Sequence, residues 1–312
     1  MRPLYLTGLG LWSPGFPDAT AWREGRAIEG AERPPCKLID ARLKRGSSRF
    51  ANSLGEVVEQ ACAAAGLDVR AVPTFYGSSL GEIETMVVLL RMLYEEEGKL
   101  SPNRFKNSVH NAASGLLSIA TANTAFSTAI AGGERSFETT LIEAWAYLNV
   151  EGGAAVLAVG DDRPPEPLDR LGDHGALAVG LALSVEPPSA GPRVSIANLR
   201  RSASVLEGRA RVPEDLRANC AAAALELVEA VLARRPGTVS LALPGRPGIV
   251  RRPRDRAVTL ARGAPAPPVS AAPPGPFSSG AGVDPFHSDA RGAARLRGGF
   301  RACRPGAPER RI

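Results

Sequence analysis

Cysteine, histidine and lysine are scarce in this 312-residue chain, and their scarcity excludes several chemistries at once. The four cysteines (Cys36, Cys62, Cys220, Cys303) are scattered, and no CxxC pair exists. The three histidines, His110, His174 and His287, are far apart in sequence. Neither a disulfide framework nor a zinc site is suggested, and the thiols read as buried or idle. No run approaches the roughly 18–20 uncharged apolar residues of a membrane span. The opening MRPLYLTGLGLWSPG lacks the longer apolar region and small-residue cleavage site of a secretory signal. These absences predict a soluble, cytoplasmic protein without a membrane span, a metal or a cofactor.

Charge is unevenly placed. The chain carries +6 overall, yet from Arg251 to the end there are twelve arginines, no lysine and four acids, a balance of +8 that leaves −2 for the rest. A slightly acidic body argues against nucleic-acid binding. The arginine-rich tail can touch polyanions without specificity. A hydrophobic content of 44% is ample for one large core or two smaller ones.

Strands alternate with helices along the chain. Leu4 to Gly10 reads as a buried strand ending in a glycine turn, continued by Ser13-Pro14-Gly15. Asp18 is placed to cap a short helix. Residues 26–46 are polar and read as a surface loop. Ser47 to Ala65 has helical apolar spacing and ends at Gly66. A short strand, Val72 to Tyr76, leads into the turn Gly77–Gly81, and a helix is expected over Glu82–Glu97. Ala154–Val159 and Ala176–Val185 read as buried strands and Val194–Ala197 as an edge strand. A helix is expected from Pro213 through Arg234, and Thr238–Leu243 as a last strand. The alternation predicts an α/β sandwich with a mixed sheet. Proline, glycine, alanine and arginine dominate from Arg251, and APAPPVSAAPPGP (264–276) cannot maintain a helix or a central strand. Residues 251–312 are expected to be a disordered tail. A shifted reading frame in a GC-rich gene produces the same composition, so a damaged gene is one reading of it.

The chain is organised around residues 107–148, NSVHNAASGLLSIATANTAFSTAIAGGERSFETTLIEAWAYL. His110 and Asn111 stand beside a small-residue turn, Ala113-Ser114-Gly115. After an apolar segment comes a small-residue elbow, Ser127 to Gly133, then a helix with Phe137, Leu141, Ala144, Trp145 and Leu148 at helical spacing. A strand, an elbow and a helix N-terminus form a frame on which enzymes seat nucleophiles, because unpaired N–H groups and the positive end of the dipole meet there. Ser127 and Thr128 are the hydroxyls at the elbow. A hydroxyl needs an adjacent base, and His110 is the candidate. The plainer reading satisfies these hydroxyls with backbone partners. Asp161-Asp162 reads as a solvated turn or a cation ligand, and Trp145 as core or interface.

These stretches together resemble the β-ketoacyl synthases of the thiolase-like superfamily. LTGLGLWSPG resembles their first strand and turn, YGSSLGEIE (76–84) their next glycine turn, and NAASG (111–115) the segment before the active-site strand. FSTAIAG (126–132) resembles the nucleophile elbow and VLAVGD (156–161) the strand after the nucleophile helix. The string NSVHNAASG…SIAT…FSTAIAGG is more similar to a short ketosynthase-like subfamily associated with aryl-polyene and fatty-acid-like pathways. The resemblance covers about residues 1–250 and implies a thiolase-like ketosynthase N-terminal half in that span, with residues 251–312 as its tail.

The family's elbow holds a cysteine where this chain has Ile130, and isoleucine cannot attack a thioester. A slip of the alignment brings no thiol, because no cysteine lies between Cys62 and Cys220. The two histidines and one lysine of the family's second half are also without counterparts, since no lysine follows Lys106. The resemblance therefore implies an accessory, chain-length-factor-like protein rather than a condensing acyltransferase. Its partners would be an active ketosynthase and an acyl carrier protein, or a second copy in a homodimer. His110, Asn111, Ser114 and Ile130 would line the substrate tunnel. The competing reading is an independent acyltransferase or thioesterase using Ser127 or Thr128 with His110.

Overall fold

The computed structural model describes residues 2–95, 98, 100–188, 194–201, 212–233, 237–240 and 256–262. The strands are β1 Leu4–Trp12, β2 Thr74–Gly77, β3 Ser127–Ile130, β4 Ala154–Asp161, β5 Leu177–Ser184, β6 Val194–Arg201, β7 Gly237–Ser240 and β8 Arg256–Arg262. The helices are α1 Ala19–Glu24, α2 Ala41–Lys44, α3 Arg49–Ala65, α4 Ile83–Glu95, α5 Pro102–Lys106, α6 Ala112–Thr121, α7 Ser136–Glu151 and α8 Ala222–Leu232. All the strands join one mixed sheet in the order β3-β2-β4-β5-β1-β6-β8-β7. β3, β2 and β4 run parallel, and each pairing from β4 to β7 is antiparallel.

Alternation along the strands divides the core in two. Leu157 and Val159 of β4 pack with Phe137, Leu141, Trp145 and Leu148 of α7 and with Leu225 and Val228 of α8. Val156 and Ala158 face the other way, toward Phe50, Leu54, Val57 and Val58 of α3 and Leu117 of α6. Trp145 is a core residue, and its indole N–H donates to the Arg2 carbonyl at 2.9 Å. Helices therefore cover both faces of the sheet, the layered α/β arrangement expected.

The N-terminal glycines have a different role from the one read in the sequence. β1 runs past them to Trp12, so Gly8 and Gly10 lie inside the strand. A methyl group on Gly8 would overlap the Ala61 carbonyl, and one on Gly10 or Gly180 the Val57 carbonyl. These glycines let the backbone of α3 lie directly on β1 and β5.

Capping follows the sequence closely. Asp18 caps α1 by accepting from Thr20 N and Ala21 N at 2.8 Å, and Gly66 closes α3 with φ 66°. Ser48 caps α3, accepting from Ala51 N at 2.9 Å. Other expectations need correction. Ala113-Ser114-Gly115 is not a turn but part of the first turns of α6, where Ser114 Oγ is satisfied by the Asn111 carbonyl at 2.9 Å. β6 is an interior strand between β1 and β8, not an edge.

The tail boundary also moves. Residues 256–262, inside the segment expected to be disordered, form β8 between β6 and β7. RAVTLAR is free of proline and glycine and includes Val258, Thr259 and Leu260, which the averaged composition of the segment concealed. The remainder of 251–312, including 264–276, and residues 241–243 of the expected last strand lie outside the described residues. No described helix is long and apolar enough to cross a membrane.

Candidate functional site

The polar groups converge at the C-terminal ends of β2, β3 and β4, where an α/β sheet ordinarily presents its ligand groups. The turn Ser78–Glu82 after β2 is the hub. Ser78 N donates to the Ile130 carbonyl at 3.1 Å, so the ends of β2 and β3 are tied together. Ser78 Oγ donates to Asp161 Oδ1 at 2.5 Å. Ser79 N and Leu80 N reach the same oxygen at 2.9 Å each. The carboxylate of Asp161, at the end of β4, thus fills the cradle of N–H groups that the glycine turn creates. Gly81 has φ 59°, and a methyl group there would stand 3.1 Å from His110 Cδ2. His110 Nε2 lies 3.3 Å from the Ser78 carbonyl.

Asp161 and Asp162 are both buried, which corrects the solvated-turn reading. Asp162 binds Arg49 at the start of α3 through both oxygens, with contacts of 2.5, 3.0 and 3.1 Å. The hydrogen-bonded carboxylate holds the Arg49 guanidinium above its usual range. Deeper in, Asn219 Nδ2 donates to the backbone carbonyls of Asp161 at 2.9 Å and Gly175 at 3.0 Å. His174 is buried beside them, with Nδ1 3.0 Å from the Gly175 carbonyl. Cys220 is fully buried next to Asp161 and Ser136. Burial, then the neighbouring Asp161 charge, push its thiol well above the ordinary value. It is a protonated, structural cysteine and not a nucleophile.

The strand–elbow–helix frame is present in altered form. β3 ends at Ile130, Ala131 and Gly132 follow, Gly133–Arg135 make a 3₁₀ turn, and α7 begins at Ser136. Ser136 Oγ donates to the Gly133 carbonyl at 2.7 Å and accepts from Gly132 N at 3.1 Å. Ile130 therefore stands on the strand end, and the residue at the helix start is a buried serine already engaged in the turn. Gly77 explains the close approach of α7, since a methyl group there would overlap Thr140 Oγ1.

Of the residues singled out in the sequence, His110 and Ile130 come to the same turn, one on each side of Ser78. Asn111 and Ser114 are beside His110 at the start of α6. Ser127 and Thr128 are placed elsewhere. Ser127 pairs with Thr74 at the beginning of β3, and its Oγ accepts from Thr74 Oγ1 at 3.0 Å. Ser78 is four residues along the strand from Thr74, about 13 Å at the usual rise. Ser127 and the His110 partner Ser78 are thus at opposite ends of the strand pair, and the structure does not assemble an acyl-transfer dyad from them. Thr128 lies opposite Phe75 in the interior of the same pairing.

Residues that sequence reasoning missed form a second layer. Glu82 is buried, accepts from Ser48 Oγ at 2.9 Å, and is pushed up to about 7 by burial. Its partner Ser48 lines an open cleft of about 960 Å³, with Arg49, Asn52, Glu84, Asp162 and Arg163 among others. The signal was weak: a serine before a helical pattern and a glutamate after a glycine turn. Among the described residues no group of three or more His, Cys, Asp or Glu is placed to hold a metal ion.

Comparison with known proteins fits this geometry. Among the solved structures that share the fold are the following two. One is the ketosynthase ApeO in complex with its chain length factor ApeC from Xenorhabdus doucetiae. It matches with TM-score 0.56 and 18% identity over 84% of this chain and 100% of that chain. The other, the ishigamide ketosynthase/chain length factor, matches with TM-score 0.51 and 16% identity over 63% of this chain and 66% of that chain. Identities this low establish the thiolase-like ketosynthase architecture and nothing finer. No curated protein matches the chain by sequence. The profile of the β-ketoacyl synthase N-terminal domain covers residues 19–242, well over half the chain. By that match, and by the sheet and elbow that agree with it, the chain belongs to the β-ketoacyl synthase N-terminal domain family.

Proposed function

We propose that this chain is a non-condensing, chain-length-factor-like partner of a cysteine-bearing ketosynthase, serving carrier-bound acyl chains in a fatty-acid-like, polyketide or aryl-polyene pathway. The observation that carries the reading is Ile130. It aligns with the family's nucleophilic cysteine and stands on the end of β3, in a strand–elbow–helix frame kept in altered form, while Cys220 is buried with its thiol pushed up. Such a chain has no means to form the acyl–enzyme bond at that position. Ile130, His110, Asn111 and Ser114 would shape the tunnel that limits product length. Residues 1–250 are taken as the ketosynthase-like domain, working in the cytoplasm.

Exposed apolar surface supports a protein partner. Among the described residues β3 is a sheet edge, and Phe126 beside it is 45% exposed. Ile119 of α6, Phe105 of α5 and Met86, Leu90 and Leu93 of α4 are exposed as well. These exposed apolar residues are taken as part of an interaction face. An exposed set of basic residues, Lys37, Arg42 and Arg45, lies in the segment that Asn107 Nδ2 ties, through the Gly46 carbonyl, to the helix carrying Arg104 and Lys106. It suits an acidic carrier domain. Affinity purification of the full chain from its native cell, followed by mass spectrometry, tests the reading. A stoichiometric cysteine-bearing ketosynthase is expected. A monomer, or a homodimer without any ketosynthase, overturns it.

A further inference from the structure

We propose that Glu82 is a proton-operated latch that joins the N-terminus of α3 to the start of α4. Glu82 immediately precedes α4, and its carbonyl accepts the first helical bond, from Met86 N at 2.9 Å. Its side chain is 6% exposed. One carboxyl oxygen accepts from Ser48 Oγ at 2.9 Å, and the other lies 3.5 Å from Thr85 Oγ1. Ser48 is the cap of α3, and the same Oγ accepts from Ala51 N. A single carboxyl group therefore fastens the beginnings of two helices.

The charges around it are of the wrong sign to hold it ionised. Asp162 faces it from the end of β4, and Glu84 from α4 itself. Arg49, the nearby cation on α3, is committed to both oxygens of Asp162. His110, from the loop before α6, packs on the adjacent Gly81. Among the described residues Glu82 has no ion-pair partner, only hydroxyl groups. With a proton it is neutral and the latch is closed. Without one, a buried carboxylate stands beside two others, a state relieved when the side chain leaves its buried site for water. Ser48 then loses its tie to α4, and the first turn of α4 loosens. Burial lifts the carboxyl to about 7, which sets the transition in the neutral range.

Through α4 the latch controls whether the exposed stripe Met86, Leu90 and Leu93 is held rigidly or loosely. The latch stands independently of which partner the chain binds. Amide hydrogen exchange of the full chain, read by mass spectrometry over 82–95 and corrected for intrinsic rates, tests it. Between about pH 6 and about pH 8.5, protection of α4 should fall about tenfold, the ratio a carboxyl near 7 imposes when the open state titrates normally. Glu82→Gln should keep the protection at both values. Thr85→Val removes a donor to the carboxylate and should move the transition to higher pH. His110→Asn should leave it in place. Unchanged protection in the native chain, an equal loss in E82Q, or loss of the response in H110N overturns the proposal.

Discussion

Arg49 and Asp162 join the start of α3 to the end of β4 through a two-oxygen contact, and the two partners are unequally buried. The Asp162 side chain is 7% exposed and that of Arg49 39%. Removing the arginine strands a buried carboxylate, whereas removing the aspartate leaves a cation that can reach water. Arg49→Ala should therefore cost about 3 kcal/mol of unfolding free energy, and Asp162→Asn distinctly less. The double variant R49A/D162A should cost less than the sum of R49A and D162A. Urea unfolding of the set checks the order, and equal losses in the two single variants contradict the argument.

Glu82 gives a pH dependence with a definite sign. Its carboxyl rises from an ordinary 4.5 to about 7 in the fold, with burial as the leading cause. Below 4.5 both folded and unfolded chains hold the proton, and the group contributes no difference. Between 4.5 and 7 only the folded chain holds it, so stability falls as pH rises; above 7 the loss is complete. The loss amounts to about 3 kcal/mol at 1.36 kcal/mol per unit. In E82Q this decline should vanish, leaving the variant more stable than the native chain at pH 8. Urea midpoints across this range measure it.

The sequence revealed the frame better than the site. Strands β2, β4 and β5 and helices α3 and α7 were legible because each couples an apolar period to a glycine or proline boundary. β8 was hidden because seven strand-forming residues were averaged with their proline-rich surroundings. At the site, the resemblance located Ile130, and small polar residues drew attention to His110. Asp161 and Asp162 were misread because two acids after a strand look like a solvated turn. Nothing local announces that one will be met by the N–H groups of residues 79 and 80, and the other by an arginine more than a hundred residues away. Ser127 shows the same limit. Proximity to His110 in sequence says nothing of which end of the strand each occupies.

The thiols should behave as core residues. Burial raises Cys36 to about 12 and Cys62 to about 11, and Cys220 also rises steeply. In a Cys303→Ser background the native chain should consume almost no Ellman's reagent at pH 8, and three equivalents once unfolded in urea. Rapid reaction of one equivalent in the native state would identify an activated thiol and return a nucleophile to the chain.

Two glycine substitutions should move stability in opposite directions. A methyl group at Gly180 meets the Val57 carbonyl of α3, and backbone cannot give way there as a side chain would. Gly180→Ala should cost about 2–3 kcal/mol or prevent folding. Gly115 lies inside α6, exposed, with open space where its methyl would go. Gly115→Ala should add about 0.5–1 kcal/mol by removing glycine's excess freedom. Thermal unfolding of the two variants separates the effects.

The open edge of β3 permits a test that leaves the chain itself nearly intact. Thr74 N donates to the Phe126 carbonyl and Ser78 N to the Ile130 carbonyl, so the even-numbered residues of β3 turn their polar groups toward β2. By strand alternation the N–H of Ser127 points to the open edge. Ser127→Pro therefore removes no bond of the sheet and loses only the contact with Thr74 Oγ1, at about 1 kcal/mol. Ser127→Ala loses the same contact but keeps the N–H. If a partner pairs along this edge, S127P should abolish co-purification of the ketosynthase while S127A retains it, and both should unfold at similar urea concentrations. Equal retention by the two variants would remove β3 from the interface and leave the apolar surfaces of α4 to α6 as the place where the partner sits.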